Sequence, residues 1–289
     1  MKNKIQIIVV MLILLFPGLA GAEKEYPFWR LVAKSVLIVE GTLEVPVAEI
    51  QKAAETGEHD YVVVNIAVQA NLKREAESPS VTFRYYTDTE TYGGVTRDQI
   101  TALNGKAAVV FLQKVGENYY LAAYAPETVQ PAGETLAARV RDESTHQETL
   151  ILESEQFISQ NMLPRETELQ SLIELMVSHH IDPAGAQEVY EAVISLGKEA
   201  VPTIIKYMDD RRKLRIPKIT LEPWWPDAHE GLVHYGPETV VDVLSVALMV
   251  LTSEDLTAIY NGGTELERAE AVRTWKIYER RMYGSLVKH

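Results

Sequence analysis

The chain has 289 residues, of which 46% are hydrophobic, contains no cysteine and carries a formal net charge of −13 at neutral pH. Such acidity repels phosphate backbones and anionic lipid headgroups, which argues against nucleic-acid binding and against attachment to a membrane surface. The lack of cysteine excludes disulfides, thiol catalysis, iron–sulfur clusters, cysteine-bound zinc and lipid attachment to a cysteine.

The first 22 residues have the features of a cleaved export signal. Lys2 and Lys4 precede an apolar run from Ile5 to Phe16, and Ala20-Gly21-Ala22 matches the small-x-small pattern of a cleavage site. The run is shorter than the roughly 20 apolar residues that cross a bilayer, so a removed signal is favoured over an anchor. We expect a periplasmic or extracellular product with 26 basic and 41 acidic residues, net charge −15, and no membrane span.

Short β-rich segments separated by turn residues fill the region from 31 to 126. The predicted strands are residues 36–45, 61–68, 81–86, 107–112 and 119–122. Gly41 lies where the first strand is expected to bend or bulge. Because no strong helix pattern alternates with these strands, the region predicts an antiparallel barrel or sandwich, and we favour an OB-like barrel.

This order of elements resembles the netrin-like module of tissue inhibitors of metalloproteases and of bacterial exported proteins. The resemblance rests on Val39-Glu40-Gly41, a Val-rich second strand, Leu72-Lys73-Arg74, and a Gly105-Lys106 turn before Val109-Val110-Phe111-Leu112. The chain lacks the N-terminal cysteine with which those inhibitors chelate the protease metal. The resemblance therefore implies the barrel but not the inhibition.

The composition becomes polar over residues 127–163, which we interpret as a connector with one short strand or helix near Leu150 to Phe157. From residue 164 onward, apolar residues recur at helical spacing. Pro237 is expected in the first turn of one helix, and Thr264 with Glu267 predicts a capping box at the start of the last. The apolar sets are Leu169, Leu172, Ile173 and Met176; Val189, Ala192, Val193 and Leu196; Val201, Ile204, Ile205 and Met208; Val240, Val243, Leu244, Ala247, Leu248 and Leu251; and Ala271, Trp275, Tyr278 and Met282.

Residues Leu196 to Asp210 are similar to one HEAT-type repeat, with Gly197 at the turn and Pro202 in the first turn of the second helix. The segment from His234 to Trp275 resembles the C-terminal part of exported bacterial HEAT-repeat proteins of unknown activity. The whole sequence therefore predicts a multidomain α+β protein. Its parts are a signal peptide over residues 1–22, a barrel domain over 31–126, a connector over 127–163 and a HEAT-like helical stack over 164–289.

The candidate binding residues lie in or beside a long irregular segment from about 214 to 235. Trp224 and Trp225 stand between two prolines, and tryptophan supplies a large, rigid contact area. Together with His229, His234 and Tyr235, they predict a partner or ligand site. The alternative is that one or both tryptophans fill a seam between helices or domains.

Two histidine groups invite a comparison with metal sites. His229-Glu230 and His234 resemble a zinc protease motif, but the histidines are five residues apart instead of four. On a helix, this spacing places the two histidines on different faces. His179 and His180 are interpreted as a helix C-terminal feature that the helix dipole favours. The basic run Arg211-Arg212-Lys213-Leu214-Arg215 is interpreted as a solvated helix end. The sequence predicts no catalytic residue, metal or cofactor.

Three functional hypotheses follow. The first is an exported, non-enzymatic interaction or scaffold protein whose partner is another exported protein. The second is a glycan or peptide binder with an aromatic platform of Trp224, Trp225 and Tyr235. The third is a metal-dependent hydrolase that uses the region of His229 and His234. The sequence leaves the oligomeric state open.

Overall fold

The structure is a computed structural model that describes residues 26–56, 61–88, 93–178, 182–216, 218–221, 233–257, 259 and 263–284. A closed five-stranded barrel is followed by a helical region, so the predicted α+β fold class is confirmed. The predicted export signal, Trp224, Trp225, His229, His179 and His180 lie outside the described residues.

The barrel closes because its first strand pairs with two neighbours. The sheet order is β1-β2-β3-β5-β4-β6, and an additional pairing of β1 with β4 completes the ring, to which β6 adds at one side. The pairing of β3 with β5 is parallel, whereas the other pairings that close the barrel are antiparallel, as predicted. The strands are β1 (Leu37–Glu44), β2 (Tyr61–Lys73), β3 (Ser80–Tyr86), β4 (Ala107–Val115), β5 (Asn118–Leu121) and β6 (Val129–Pro131).

Gly41 lies at a bulge, as the sequence predicts. The register between β1 and β2 shifts between Glu40 and Gly41, and a bulge of this kind sharpens strand bending in a small barrel. A methyl group at this position would lie 2.4 Å from the carbonyl oxygen of Ala67, so the backbones of β1 and β2 approach more closely than any other residue allows.

Helices precede the barrel, interrupt it and follow it. They are α1 (Phe28–Lys34), α2 (Val47–Thr56), α3 (Arg97–Ala102), α4 (Glu134–Gln160), α5 (Glu166–Ser178), α6 (Pro183–Ser195), α7 (Val201–Tyr207), α8 (Val240–Thr252) and α9 (Glu265–Tyr283). A short two-stranded sheet, β7 (Ile219–Leu221) with β8 (Val233–Tyr235), lies between α7 and α8.

The 27-residue helix α4 spans most of the segment interpreted from the sequence as a connector, and it is longer than the short strand or helix expected there. One face of α4 is buried, but two of its buried positions are polar, Gln147 and Ser154, which weakens the apolar pattern in the sequence. The Gln147 side-chain amide donates a hydrogen bond of 2.8 Å to the carbonyl oxygen of Trp29 in α1. Helix α4 therefore holds α1 and the helical region together instead of acting as a loose link.

Lys73, at the end of β2, ties the barrel to α1. Its Nζ donates hydrogen bonds to the carbonyl oxygens of Val32 (2.7 Å) and Ser35 (2.6 Å), groups that the end of a helix leaves without helical partners. Burial lowers the pKa of Lys73 to about 8. The side chain of this barrel residue thus serves as a C-terminal cap for the preceding helix.

Ion pairs link α9 to the barrel and to α4. Arg74 of the barrel pairs with Glu270, and Arg273 pairs with Glu148 of α4 at 2.7 Å. Lys276 is 6% exposed, and its Nζ contacts Glu155 of α4 at 3.0 Å. The barrel and the helices therefore share polar as well as apolar contacts.

Helix α8 begins later than predicted. Its first residue is Val240, so Pro237 lies before the helix and not in its first turn. The cap comes from Asp242, whose Oδ2 accepts hydrogen bonds from the backbone N–H groups of Glu238 (2.9 Å) and Thr239 (3.0 Å). By contrast, the predicted capping box of Thr264 and Glu267 is present at the start of α9.

Asp242 also forms a buried ion pair with α9. Arg268 donates from Nε to Oδ1 at 2.8 Å and from Nη2 to Oδ2 at 3.0 Å, and the two residues are 8% and 2% exposed. Burial alone would raise the pKa of Asp242, but the hydrogen bonds from Arg268 and the two backbone amides lower it overall. This pair fixes the approach of α8 to α9.

Candidate binding face of the barrel

Alternation along β2 and β3 creates an outer face that is rich in tyrosine. Tyr61 and Val63 of β2 point away from the barrel interior, while Val62 and Val64 between them are buried. Strand β3 repeats this pattern, with Phe83 and Tyr85 inside and Tyr86 exposed. The strand register then places side chains that are distant in the sequence next to one another.

Three strands contribute to one aromatic cluster. Tyr61 lies opposite Tyr86, and their rings meet edge to face with centroids 6.3 Å apart. Tyr120 of β5 stacks on Tyr86 at 5.9 Å with an interplanar angle of 14°. We call Tyr61, Val63, Arg84, Tyr86 and Tyr120 the aromatic face. Tyr61, Val63 and Tyr86 are 38%, 51% and 37% exposed, so this face is open to solvent.

Arg84 lies at the centre of the aromatic face. Its guanidinium carbon is 4.2 Å from the ring centroid of Tyr61 and 5.9 Å from that of Tyr120, both within cation–π range. Nη1 donates a hydrogen bond of 3.2 Å to the hydroxyl oxygen of Tyr120. Among the described residues, no carboxylate forms an ion pair with Arg84. The tyrosines therefore orient a cation that forms no ion pair with a described residue.

A cavity of about 320 Å³ opens beside the aromatic face. The outer residues of β2 and β3 form one wall, and the β4–β5 turn forms the other through Glu117 and Asn118. This volume lies at the lower end of the range for small-ligand sites. The combination of aromatic rings, one oriented arginine and a concave wall is suited to binding, because aromatic and arginine side chains contribute most to binding surfaces.

The phenol of Tyr86 stays protonated at neutral pH. Partial burial and the hydrogen bond and proximity of Tyr120 raise the pKa of Tyr86 above its usual value of 10. A neutral phenol both donates and accepts hydrogen bonds. The aromatic face therefore offers hydroxyl groups and one positive charge to a ligand.

The residues predicted from sequence to bind a partner lie in the other half of the chain. Tyr235 is 7% exposed in the helical core, and its hydroxyl donates a hydrogen bond of 2.8 Å to the carbonyl oxygen of Ile259. His234 belongs to β8, where it is opposite Thr220. Because Trp224, Trp225 and His229 lie outside the described residues, their convergence stays a prediction.

Metal-binding clusters and membrane-spanning helices are both absent from the described part of the chain. Within it, no group of three or more histidine, aspartate or glutamate side chains is placed to hold a metal ion. No helix in the same residues is long and apolar enough to cross a membrane.

No protein-family model matches this chain, and neither the search of curated proteins nor the search of solved structures found a match. The geometry of the aromatic face is therefore the basis for assigning a function.

The sequence reading did not select Arg84 or the tyrosines of the aromatic face. Tyr61 and Tyr86 are far apart in the sequence, and each reads as an ordinary strand residue. A signal was present in the alternation itself, because Tyr61 and Val63 occupy the positions of β2 opposite to its buried valines. Finding the cluster also required the pairing of β3 with β5, which the sequence did not reveal.

Proposed function

We propose that this chain is an exported, non-enzymatic interaction protein that binds another exported protein through the aromatic face of its barrel. The observation that carries the proposal is the cluster of exposed Tyr61 and Tyr86 with half-buried Tyr120 around Arg84. In a chain with 46% hydrophobic residues, other aromatic side chains such as Phe83, Phe111 and Trp275 are buried in the cores. Stability alone does not require two exposed tyrosines that pack with a third on an outer surface.

The rest of the proposal follows from the sequence. Export rests on the charged, apolar and small-residue pattern of residues 1–22. The barrel is proposed to be a netrin-like module, and the helical region a set of HEAT-like repeats. In support of the latter, Gly197 has a positive φ at the predicted turn and Pro202 lies in the first turn of α7. In this account the helical region supports the barrel and presents it to a partner.

A glycan ligand is the second candidate. Tyrosine rings can stack on sugar rings, and five-stranded barrels of this type bind oligosaccharides on the face formed by strands 2 and 3. The aromatic face lies on β2 and β3 and includes the neighbouring β5. A protein ligand is preferred because the open edge of β3, described below, offers backbone groups that suit a peptide.

Affinity capture with matched variants tests the proposal. Purified protein lacking residues 1–22 is immobilised and exposed to the exported protein fraction of the source cells, and retained proteins are quantified by mass spectrometry. We expect one or a few proteins that bind the wild type and are reduced by about tenfold or more with Tyr61→Ala/Tyr86→Ala, because loss of aromatic anchors typically costs over ~1.4 kcal/mol.

The control is Leu152→Ala/Met162→Ala, which removes two side chains of the helical region that are 66% and 88% exposed. This variant should retain the same proteins as the wild type. Equal loss in both variants, or retention of the same proteins by the tyrosine variant, would contradict the proposal.

A further inference from the structure

The outer edge of β3 is only partly paired. Strand β3 pairs with β2 from Ser80 to Tyr86, but its pairing with β5 includes only Phe83 and Arg84. Residues Ser80 to Thr82 therefore have β2 on one side and lie beside the cavity wall on the other. A strand edge that extends past its neighbour can accept another strand.

The direction of the backbone groups follows from one hydrogen bond. The N–H of Val68 in β2 donates to the carbonyl oxygen of Pro79 at 2.9 Å. Since backbone groups of alternate residues point to the same side of a strand, Val81 and Phe83 also face β2.

Ser80 and Thr82 face the opposite side, toward the cavity. On that side the Ser80 N–H donates to Ser78 Oγ at 3.3 Å, and the parallel pairing of Phe83 with Tyr119 engages the Thr82 carbonyl. The Ser80 carbonyl and the Thr82 N–H are therefore the groups that an added strand would use.

Charges around the cavity restrict what can bind there. Arg84 supplies the positive charge, while Glu77 and Glu117 line the same cavity and form no ion pair with any described residue. A polyanion such as a nucleic acid would be repelled by these two carboxylates. A ligand that placed one carboxylate directly on Arg84 would gain a charge-assisted hydrogen bond to the guanidinium beside the tyrosine rings.

A strand edge, an oriented cation and aromatic rings thus lie next to one another at this cavity. Resting on the proposed function, we propose that the partner contributes an extended peptide segment that pairs with the Ser80–Thr82 edge of β3 and places an aspartate or glutamate side chain on Arg84. Main-chain hydrogen bonds to the edge supply affinity, and the side-chain pocket supplies selectivity, as in other cases of strand addition. Neighbouring side chains of the same segment pack on Tyr61 and Tyr86.

The probe is a set of N-acetylated, C-amidated hexapeptide pools, each with one position fixed. Because both ends are blocked, the peptides have no terminal charges. A preference for Asp or Glu at a fixed position therefore shows that the protein recognises a side-chain carboxylate. Binding to the chain lacking residues 1–22 is measured by fluorescence polarisation. We expect pools with fixed Asp or Glu at one position to bind at least about tenfold more tightly than the matching Asn or Gln pools, a typical effect of a charged hydrogen bond.

Two arginine variants distinguish an effect of Arg84 itself from an effect of the protein's net charge. Arg84→Gln should abolish the preference for acid. Arg139→Gln removes the same charge from an arginine that also stacks on an aromatic ring, Phe28, at 4.3 Å, and it should leave the preference unchanged. The thermal midpoints of both variants identify any loss of folding.

Hydrogen exchange provides the second measurement. Addition of a selected peptide should slow exchange at the Thr82 amide, which faces the cavity, while the Val81 amide, which faces β2, should change little. Strand addition at this edge would protect alternate amides, with Thr82 protected and Val81 unchanged. A peptide that contacts only side chains would not produce this alternation.

Five results would overturn the inference. Pools that bind without a preference for acid, or whose preference survives Arg84→Gln, would remove the role of Arg84. No peptide binding at millimolar concentration, with protein capture still dependent on Tyr61 and Tyr86, would reject strand addition and leave the proposed function intact. Binding of neutral glycans instead of peptides would reject both. Self-association abolished by Arg84→Gln would identify a second copy as the occupant.

Discussion

Replacement of Asp242 by asparagine is expected to destabilise the protein by about 3 to 5 kcal/mol. The substitution leaves the guanidinium of Arg268 buried without its charge partner, since Arg268 is 8% exposed and donates two hydrogen bonds to Asp242. It also weakens the cap of α8, whose amides at Glu238 and Thr239 donate to the same carboxylate. The free energy of unfolding from urea denaturation measures the effect.

Glu238→Gln is the matched control for Asp242→Asn. The Glu238 side chain is 57% exposed and contacts the same arginine at 3.2 Å, so its loss should cost less than about 1 kcal/mol. Asp242→Asn/Arg268→Met should regain much of the stability, because removal of both charges eliminates the unpaired one. Equal effects of Asp242→Asn and Glu238→Gln would show that burial of the pair does not matter.

The effect of Asp242→Asn should depend on pH. Because the pKa of Asp242 is lower in the folded protein than in the unfolded chain, its contribution is fully present above the unfolded value, near 4. The contribution is lost as the pH falls through the folded-state pKa. The difference in stability between the wild type and Asp242→Asn should therefore be constant above about pH 5 and shrink in more acidic solution.

Gly41→Ala is expected to destabilise the barrel by about 2 to 3 kcal/mol. The new methyl group would lie 2.4 Å from the Ala67 carbonyl oxygen and 2.7 Å from Cγ2 of Ile66, and the first of these atoms is backbone. Relief requires separation of β1 from β2 at the bulge, where the barrel is closed on both sides of β1. Thermal or urea denaturation measures the loss.

Gly284→Ala controls for a glycine substitution without crowding. A methyl group at Gly284 meets no atom within 4 Å, and the residue has helical dihedral angles of −60° and −25°. We expect a change within about 0.5 kcal/mol. Similar losses in both alanine variants would show that the close approach at Gly41 is not what limits substitution.

Local patterns predicted the barrel strands and several helix positions well. Short runs of β-branched and aromatic residues between turn residues identified the strands, and Gly41 and the Thr264–Glu267 capping box are present as predicted. These features depend on neighbours within one element, so short sequence windows contain the information. Pro237 was placed wrongly because the cap of α8 is the Asp242 carboxylate, and proline was the more conspicuous residue.

Features that depend on distant pairing were not predicted. The buried face of α4 includes Gln147 and Ser154. These polar residues are buried because α1 and α9 pack against α4, and short sequence windows contain no sign of that packing. In the same way, Arg84 reads as a solvated strand residue until β5 places Tyr120 beside it. The predicted platform of Trp224 and Trp225 lies outside the described residues and stays a prediction.

Site-specific photocrosslinking tests the central claim most directly. A benzoylphenylalanine at Val63, which is 51% exposed within the aromatic face, is compared with one at Leu152, which is 66% exposed in the helical region. After irradiation in the exported fraction, we predict a discrete adduct from position 63 that disappears with Arg84→Gln and has no counterpart from position 152. The same adducts from both positions, or an adduct from position 152 alone, would contradict a partner-binding role for this face of the barrel.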